Sequence, residues 1–225
     1  MYSLCIDTSN QPISVALLKD GNVLNTHTSA IKRNHSIQLM PMIETLLKEA
    51  DIQAKTLSEI IVAEGPGSYT GLRIGVTTAK TLAYTLNLKL YGVSSLKALA
   101  ATTDLKDYWI VPIIDARRQH VFTGVYEWQN EQLVSVMGDR YIAIETLLDQ
   151  LKDQSKIVFV GRDVQQFDIL SNYYLKPNLP QAEHLYHLKG EPVTIHNFVP
   201  QYLKLSEAEQ NWLNQQSKTN STLDA

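Results

Sequence analysis

Two α/β lobes of related fold, the second of them degraded, are what the sequence predicts. Three observations carry this. A plan of strand, Asp, strand, turn, strand, helix, strand opens at residue 2, and the same plan starts again near residue 109; internal repetition marks a repeated architecture. The first half reads β-β-β-α-β-α-β-α, the element order of a mixed sheet with helices packed on it. With 225 residues and 44% hydrophobic content the chain can build one large core or two small ones, and it is too apolar for a disordered protein.

Residues 2–6 read as a buried strand ending at Asp7, residues 13–18 as a second strand, and Val23 to Thr28 as a third. Lys19-Asp20-Gly21-Asn22 is a hairpin turn, expected to place Gly21 and Asn22 at positive φ. Apolar residues at Ile37, Leu39, Met40, Ile43, Leu46 and Leu47 predict a helix over 35–50, which Pro41 should kink or start late. Glu59 to Ala63 is a continuous apolar strand, as at the centre of a parallel sheet. A glycine-rich turn leads to a helix over about 72–86, a strand over 90–93 and a helix over 94–101. The repeat then gives strands at 110–114, ending in Asp115, at 121–128 and at 132–137, a helix at 147–151 and a strand at 157–160 closed by Gly161. The lobes are expected at 1–105 and 106–225. Past Asn172 little is assigned. Ser206 with Glu209 makes a capping box for a last helix, and the tail from Ser217 should fray.

Charge narrows the function. Lys and Arg number 20 against 23 Asp and Glu, a net charge of −3, so the bulk field does not bind nucleic acid. Residues 1–100 carry +2 and residues 101–225 carry −5, so any RNA contact should use the first half or a partner. A single cysteine, Cys5, excludes an intrachain disulfide, and its apolar run predicts a buried thiol. The N-terminus has no basic segment before Asp7, and no apolar run approaches the ~20 residues of a membrane span. A cytoplasmic location is expected.

The run Gly65-Pro66-Gly67-Ser68-Tyr69-Thr70-Gly71-Leu72-Arg73-Ile74-Gly75 joins a buried strand to a helix. Such a turn can hold phosphate on free amides at a helix N-terminus, or it can be a tight structural turn. It is neither a P-loop nor Gly-x-Gly-x-x-Gly. The helix that follows has a row of small residues, Gly71, Gly75, Ala79 and Ala83, which lets another backbone approach closely. Asp7 and Asp115 end the first strand of each repeat; they either face a cleft and hold a metal or water, or cap a turn. Arg33-x-His35 precedes the first helix, and His184 and His187 lack a third ligand nearby, so no metal site is expected. No Gly-x-Ser-x-Gly nucleophile signature is present.

Together, Ile6-Asp7-Thr8-Ser9, Ser14 to Leu17, Arg33-x-His35-Ser36, Gly65 to Gly75, Ala79-Lys80, Gly92 to Leu96 and Ile114 to Arg118 resemble the bacterial TsaB (YeaZ) family, and Pro200-x-Tyr202-Leu203 is similar to its C-terminal motif. The match is dense over residues 4–118 and thin beyond. Tyr69 stands where the family usually has Phe, and Thr81 where it usually has Gly. The resemblance implies a two-lobed actin-like ATPase fold of the sugar kinase and Hsp70 class. It implies a part in forming threonylcarbamoyladenosine on tRNAs, next to the anticodon, as the non-catalytic partner of a TsaD-type transferase, with a TsaE-type ATPase completing the complex. The catalytic paralogue carries His-Leu-Glu-Gly-His, whose two His bind metal. Here the corresponding run places Ser95 and Leu99 at those ligands and Lys97 at the intervening Glu. Neither Ser nor Leu replaces an imidazole as ligand, and the Lys repels a cation. The glycopeptidase label once attached to such proteins has no support in these residues.

No catalytic residue is therefore assigned. Weak nucleotide binding, if present, is expected at Asp7, Thr8, Gly67, Ser68 and Gly71. The partner surface is expected on the two long helices, at Leu39, Met40, Ile43, Leu47, Gly75, Thr78, Ala79 and Leu82, with a homodimer forming on the same face when the partner is absent and tRNA reached only through the complex. The rival reading is a stand-alone ATP-dependent kinase of the same fold. Its adenosine half has only the Gly161-Arg162-Asp163 turn to rely on.

Overall fold

The computed structural model describes residues 1–29 and 35–204. Arg33, the Ser206 and Glu209 capping box and the tail from Ser217 lie outside the described residues. The chain opens with a meander of β1 (Tyr2–Asp7), β2 (Ile13–Lys19) and β3 (Asn22–Ser29). The positive φ angles of its first turn fall on Asp20 (51°) and Gly21 (84°), not on Asn22, which already belongs to β3. A two-residue hairpin loop needs left-handed backbone at both central positions, and Asp-Gly supplies them.

Helix α1 (His35–Glu49) begins six residues before Pro41, so the proline sits inside it and withholds one N–H from the preceding turn. After β4 (Leu57–Gly65), helix α2 (Tyr69–Leu86) starts three residues earlier than the sequence suggests, because Ser68 caps it: its hydroxyl accepts the Gly71 N–H at 3.2 Å. Strand β5 (Lys89–Ser94) and helix α3 (Ser95–Ala100) follow. The second lobe repeats the plan with β6 (Trp109–Asp115), β7 (His120–Gln129), β8 (Gln132–Ala143), α4 (Ile144–Leu151), β9 (Ile157–Val160) and β10 (Tyr174–Lys176).

The strand orders are β3-β2-β1-β4-β5 and β10-β9-β6-β7-β8. Strand for strand they are the same sheet. In each, the first strand pairs antiparallel with the second and parallel with the fourth. The largest difference follows the fourth strand of each sheet. Where α2 follows β4, two short 3₁₀ turns at 162–166 and 168–170 follow β9.

Period-2 alternation assigns the faces. Leu4, Ile6, Val15, Leu17, Ile60 and Val62 pack under α1 and α2, while Cys5, Ala16, Leu18, Ile61 and Ala63 face the other way. Helix α3 lies between the sheets, giving Ala98 to the first lobe and Leu96, Leu99 and Ala100 to the second. Helix α4 covers the far face of the second sheet with Ile144, Leu147 and Leu151. Cys5 is fully buried, and burial pushes its thiol up.

The chain after β10 does not stay with the second sheet, although the sequence reading puts all of 106–225 there. Ala182 and Leu185, the latter opening α5 (Leu185–Leu188), pack on the inner face of the first sheet beside Cys5 and Ile61. The half-buried Lys189 forms an ion pair with the buried Glu59, which also accepts the Ser3 hydroxyl at 2.7 Å. The Val193 N–H reaches the Leu90 carbonyl at 2.8 Å, Gln201 N–H the Glu64 carbonyl at 2.7 Å, and Phe198 enters the first core. An edge strand leaves backbone groups to satisfy, and β5 has its edge covered by this strap.

Replacing Phe198 by Ala should therefore cost about 3 kcal/mol of stability, the usual toll for a buried ring. Urea denaturation measures it; a loss below about 1 kcal/mol would mean that the strap is not part of the first core.

Candidate functional site

The glycine-rich turn is closed on the chain itself. Ser68 donates its N–H to the Ser9 carbonyl at 2.7 Å, and the Thr8 hydroxyl donates to the Gly71 carbonyl at 2.7 Å. A Cβ at Gly67 would collide with the Ser9 carbonyl, one at Gly71 with the Thr8 carbonyl, and one at Gly75 with the Thr8 hydroxyl. The small row of α2 thus lets the chain's own β1 end approach it. Asp7 is buried, and its Oδ1 accepts the Ser9 N–H at 2.9 Å and the Ser9 hydroxyl at 2.6 Å. Burial pushes its carboxyl up, against those two bonds.

The second lobe mirrors this. Asp115 Oδ1 accepts the N–H of Arg117 at 2.9 Å, again two residues on, and the Asp115 N–H donates to Asp163 at 2.9 Å. Both strand-end carboxylates cap a turn. The five residues expected to hold a nucleotide are together in space, and several of their polar groups bond to one another or to Ser9. A cleft of about 480 Å³ remains beside them, lined by Ser9, Gly67, Ser68, Asp115, Arg117 and Asp163 among others. His35 on its rim has Nε2 within 2.9 Å of the Asn10 carbonyl, tying α1 to the loop after β1.

The two positions that correspond to metal ligands in the paralogue have structural work here. Ser95 Oγ accepts the Gly65 N–H at 3.1 Å, and Leu99 is buried in the second-lobe core. Among the described residues no cluster of three His, Cys, Asp or Glu could hold a metal ion. His184 is hydrogen-bonded to Gln181 at 2.9 Å, and burial lowers its pKa.

A polar cluster that sequence reasoning missed joins the lobes. Asp139 on β8 accepts hydrogen bonds from Tyr126 and from Ser94, whose hydroxyl also caps α3 through the Lys97 N–H at 3.1 Å. Burial pushes the Asp139 carboxyl up, against these bonds and the Lys97 charge. Glu64 is raised by burial and then by the charge of Asp139. Burial and Asp139 likewise push the Tyr126 phenol up. No sequence signal could find this pair, since Glu64 and Asp139 lie on different sheets.

The outer face of α1 and α2 differs from the cleft. Of the eight residues expected at a partner surface, Leu39, Ile43, Leu47, Gly75 and Ala79 are buried in the chain's own core. The inward stripe takes Leu47 with Leu39 and Ile43. Met40 stays 47% exposed, and Thr78 and Leu82 are half-buried. Ile37, not among the eight, is the most exposed large apolar residue of α1, at 71%; it precedes Met40 by three, one helical step. Beside them runs an apolar groove of about 410 Å³ floored by Leu4 and Leu57 and walled by Met40, Leu47 and Leu82.

A family model described as TsaD, tRNA N6-adenosine threonylcarbamoyltransferase, matches residues 22–212. The tRNA threonylcarbamoyladenosine biosynthesis protein TsaB of Bacillus subtilis (strain 168) is 39% identical over 228 residues, covering 96% of this chain and 100% of its own length. The TsaB of Escherichia coli (strain K12) is 32% identical over 145 residues, 61% of this chain and 62% of its own. YeaZ from Pseudomonas aeruginosa superposes with a TM-score of 0.77 at 28% identity, over 90% of this chain and 99% of that one. The repeated sheets and the strand-end carboxylates define a two-lobed protein of the actin-like ATPase fold class, with the first-lobe turn packed shut. Within that class the chain belongs to the TsaB family, among the TsaD-related proteins that the family model describes.

The Glu64 carboxyl is raised in the folded chain, so folding favours its protonated form and the penalty grows as pH rises through the raised value. Glu64→Gln should raise the melting midpoint by about 1–2 °C at pH 8, a small gain because partial exposure screens the charge. The gain should vanish near pH 4. Thermal melts across that range check it; an equal gain at both ends would mean that charge is not the cause.

Proposed function

We propose that this chain is a non-catalytic subunit that binds and supports a TsaD-type transferase in forming threonylcarbamoyladenosine on tRNAs next to the anticodon. The observation that carries the reading is the contrast between its two surfaces. The glycine-rich turn and the start of α2 pack against the chain's own Thr8 and Ser9, while the α1–α2 face leaves Ile37 and Met40 in solvent beside an apolar groove. An exposed apolar strip of this kind fits a partner helix pair. The relatives' names support the pathway, and the chain's own match to the TsaD family model supports a TsaD-type partner. A TsaE-type ATPase joins the assembly, a homodimer uses the same face when the transferase is absent, and the complex works in the cytoplasm with tRNA. No helix of the described residues is long and apolar enough to cross a membrane.

Two outcomes test this. Met40→Asp should leave the monomer folded and weaken pairing with a TsaD-type protein at least about tenfold, or 1.4 kcal/mol; Ile37→Asp should do the same. Full-strength pairing by both folded variants would remove α1 from the contact. The purified chain alone should neither hydrolyse ATP nor transfer threonylcarbamoyl groups, because Ser95 and Leu99 stand at the two ligand positions. Metal-dependent turnover above contaminant level would refute the non-catalytic assignment.

A further inference from the structure

Beyond the packed turn, the interlobe cleft opens on different chemistry. Tyr69, the first residue of α2, and Tyr202, on the strap, stack with ring centroids 4.8 Å apart at 30°, and they remain 48% and 43% exposed. The Arg73 guanidinium lies 5.4 Å from the Tyr69 centroid and donates to its hydroxyl at 3.1 Å. Across the cleft, Lys204 donates to the Ala116 carbonyl at 2.9 Å and sits 5.1 Å from the Tyr141 centroid. His120 stacks on the same Tyr141 at 4.8 Å. A cavity of about 430 Å³ lies between these walls, lined by Gly67, Tyr69, Arg117, Phe122, Tyr202 and Lys204 among others.

The turn between β6 and β7 adds two more cations. Arg117, Arg118 and Gln119 are exposed and hold φ angles of 70°, 55° and 57°, three consecutive left-handed residues with a side chain. Neither guanidinium has a hydrogen bond or ion pair among the described residues. Among the described residues, the acids lining this cleft are Asp115 and Asp163. Asp115 caps the Arg117 N–H, and Asp163 accepts from the Asp115 N–H and from Gln166. Among the described residues, Arg73, Arg117, Arg118 and Lys204 thus outnumber the acids there, in a chain whose net charge is −3.

We propose that this slot binds an unpaired stretch of RNA, taking a base against the Tyr69–Tyr202 pair and successive phosphates along Arg117, Arg118, Lys204 and Arg73. The inference rests on the functional reading above, in which the complex acts on tRNA, and it makes this chain itself an RNA contact. Exposed aromatic faces beside Arg and Lys are how proteins hold single strands, whose bases are free to stack. A paired stem hides its base faces and offers the tyrosines nothing. The cations spread from α2 across the cleft mouth to the β6–β7 turn, which fits a run of phosphates better than the single cluster on a free nucleotide.

The test uses a short RNA hairpin with an unpaired loop and the same stem as a blunt duplex. Binding is read by fluorescence anisotropy with the full chain alone and in complex with a TsaD-type partner. The hairpin should bind more tightly than the duplex. Tyr69→Ala and Tyr202→Ala should each weaken it at least about fivefold, while Tyr202→Phe, which keeps the ring, should stay within about twofold. Arg117→Ala should weaken binding and lower the salt dependence by about one phosphate contact. A photoreactive uridine in the loop should crosslink to Tyr69 or Tyr202, a readout that needs no variant to fold. Equal binding of hairpin and duplex, hairpin affinity indifferent to the Tyr and Arg changes, or no crosslink at these tyrosines would overturn the proposal. Displacement of the hairpin by AMP alone at low concentration would reassign the slot to a free nucleotide and overturn it as well. If the wild-type chain fails to pair with the transferase, the functional reading falls and the chain-alone measurements still decide this one. An intact complex whose hairpin affinity ignores the variants sinks this inference only.

Discussion

Everything in the first lobe is arranged around one contact, the seat of Thr8 and Ser9 against the N-terminal half of α2. Gly67, Gly71 and Gly75 are glycines because the backbone and hydroxyl of Thr8 and Ser9 occupy the space a Cβ would need. That closeness lets Ser68 N–H reach Ser9 and Thr8 reach Gly71. The Ser68 and Gly71 amides and the Thr8 hydroxyl are bonded within the chain, so these donors are not available to an anion. The same seat fixes α2 over the sheet, with Val76, Ala79 and Ala83 in the core and Leu82 against the groove shared with α1. A tight internal contact therefore does two things at once: it closes a ligand turn and holds an outer face in place.

Repetition of the sheet has been used unevenly. Asp7 and Asp115 occupy equivalent strand ends and each accepts the N–H two residues on. The first is buried with Ser9 bonded to it from two atoms, and the second stands at an open cleft next to the exposed Arg117 and Arg118. Loss of the long helix after β9 leaves the second lobe with short 3₁₀ turns at that cleft, so the two sides of the interlobe space are no longer alike. Between them, Asp139 is held by Tyr126 and by the residue that caps α3, which couples the second sheet to the end of the first.

Period and punctuation made most of the architecture legible in the sequence. Alternating apolar residues gave the strands, Lys19-Asp20-Gly21-Asn22 gave the hairpin, with its left-handed pair one residue earlier than expected, and the second appearance of a strand ending in Asp gave the repeat. Errors fell where local pattern is silent. The apolar residues of α1 point in more than one direction around the helix, so sequence spacing cannot say that Leu47 turns inward with Leu39 and Ile43 while Met40 and Ile37 face solvent. The row Gly71, Gly75, Ala79 signals close approach without naming what approaches, and the approaching group proved to be the chain's own Thr8. Glu64 with Asp139, and Tyr69 with Tyr202, are meetings across more than seventy residues of chain, which no window of sequence contains.

The strap has a consequence for the order in which the molecule can be made. The first sheet is finished by Ala182, Leu185, Val193 and Phe198, residues that leave the ribosome after every strand of the second sheet. The lobe that begins first is thus sealed last. Until then the part of its inner face that α3 leaves open and the edge of β5 stand uncovered, and the nascent chain must carry that exposed surface while the other sheet assembles. Contacts spanning most of the chain slow the search for the native state. For this protein, the boundary between lobes in space is not a boundary between units of synthesis.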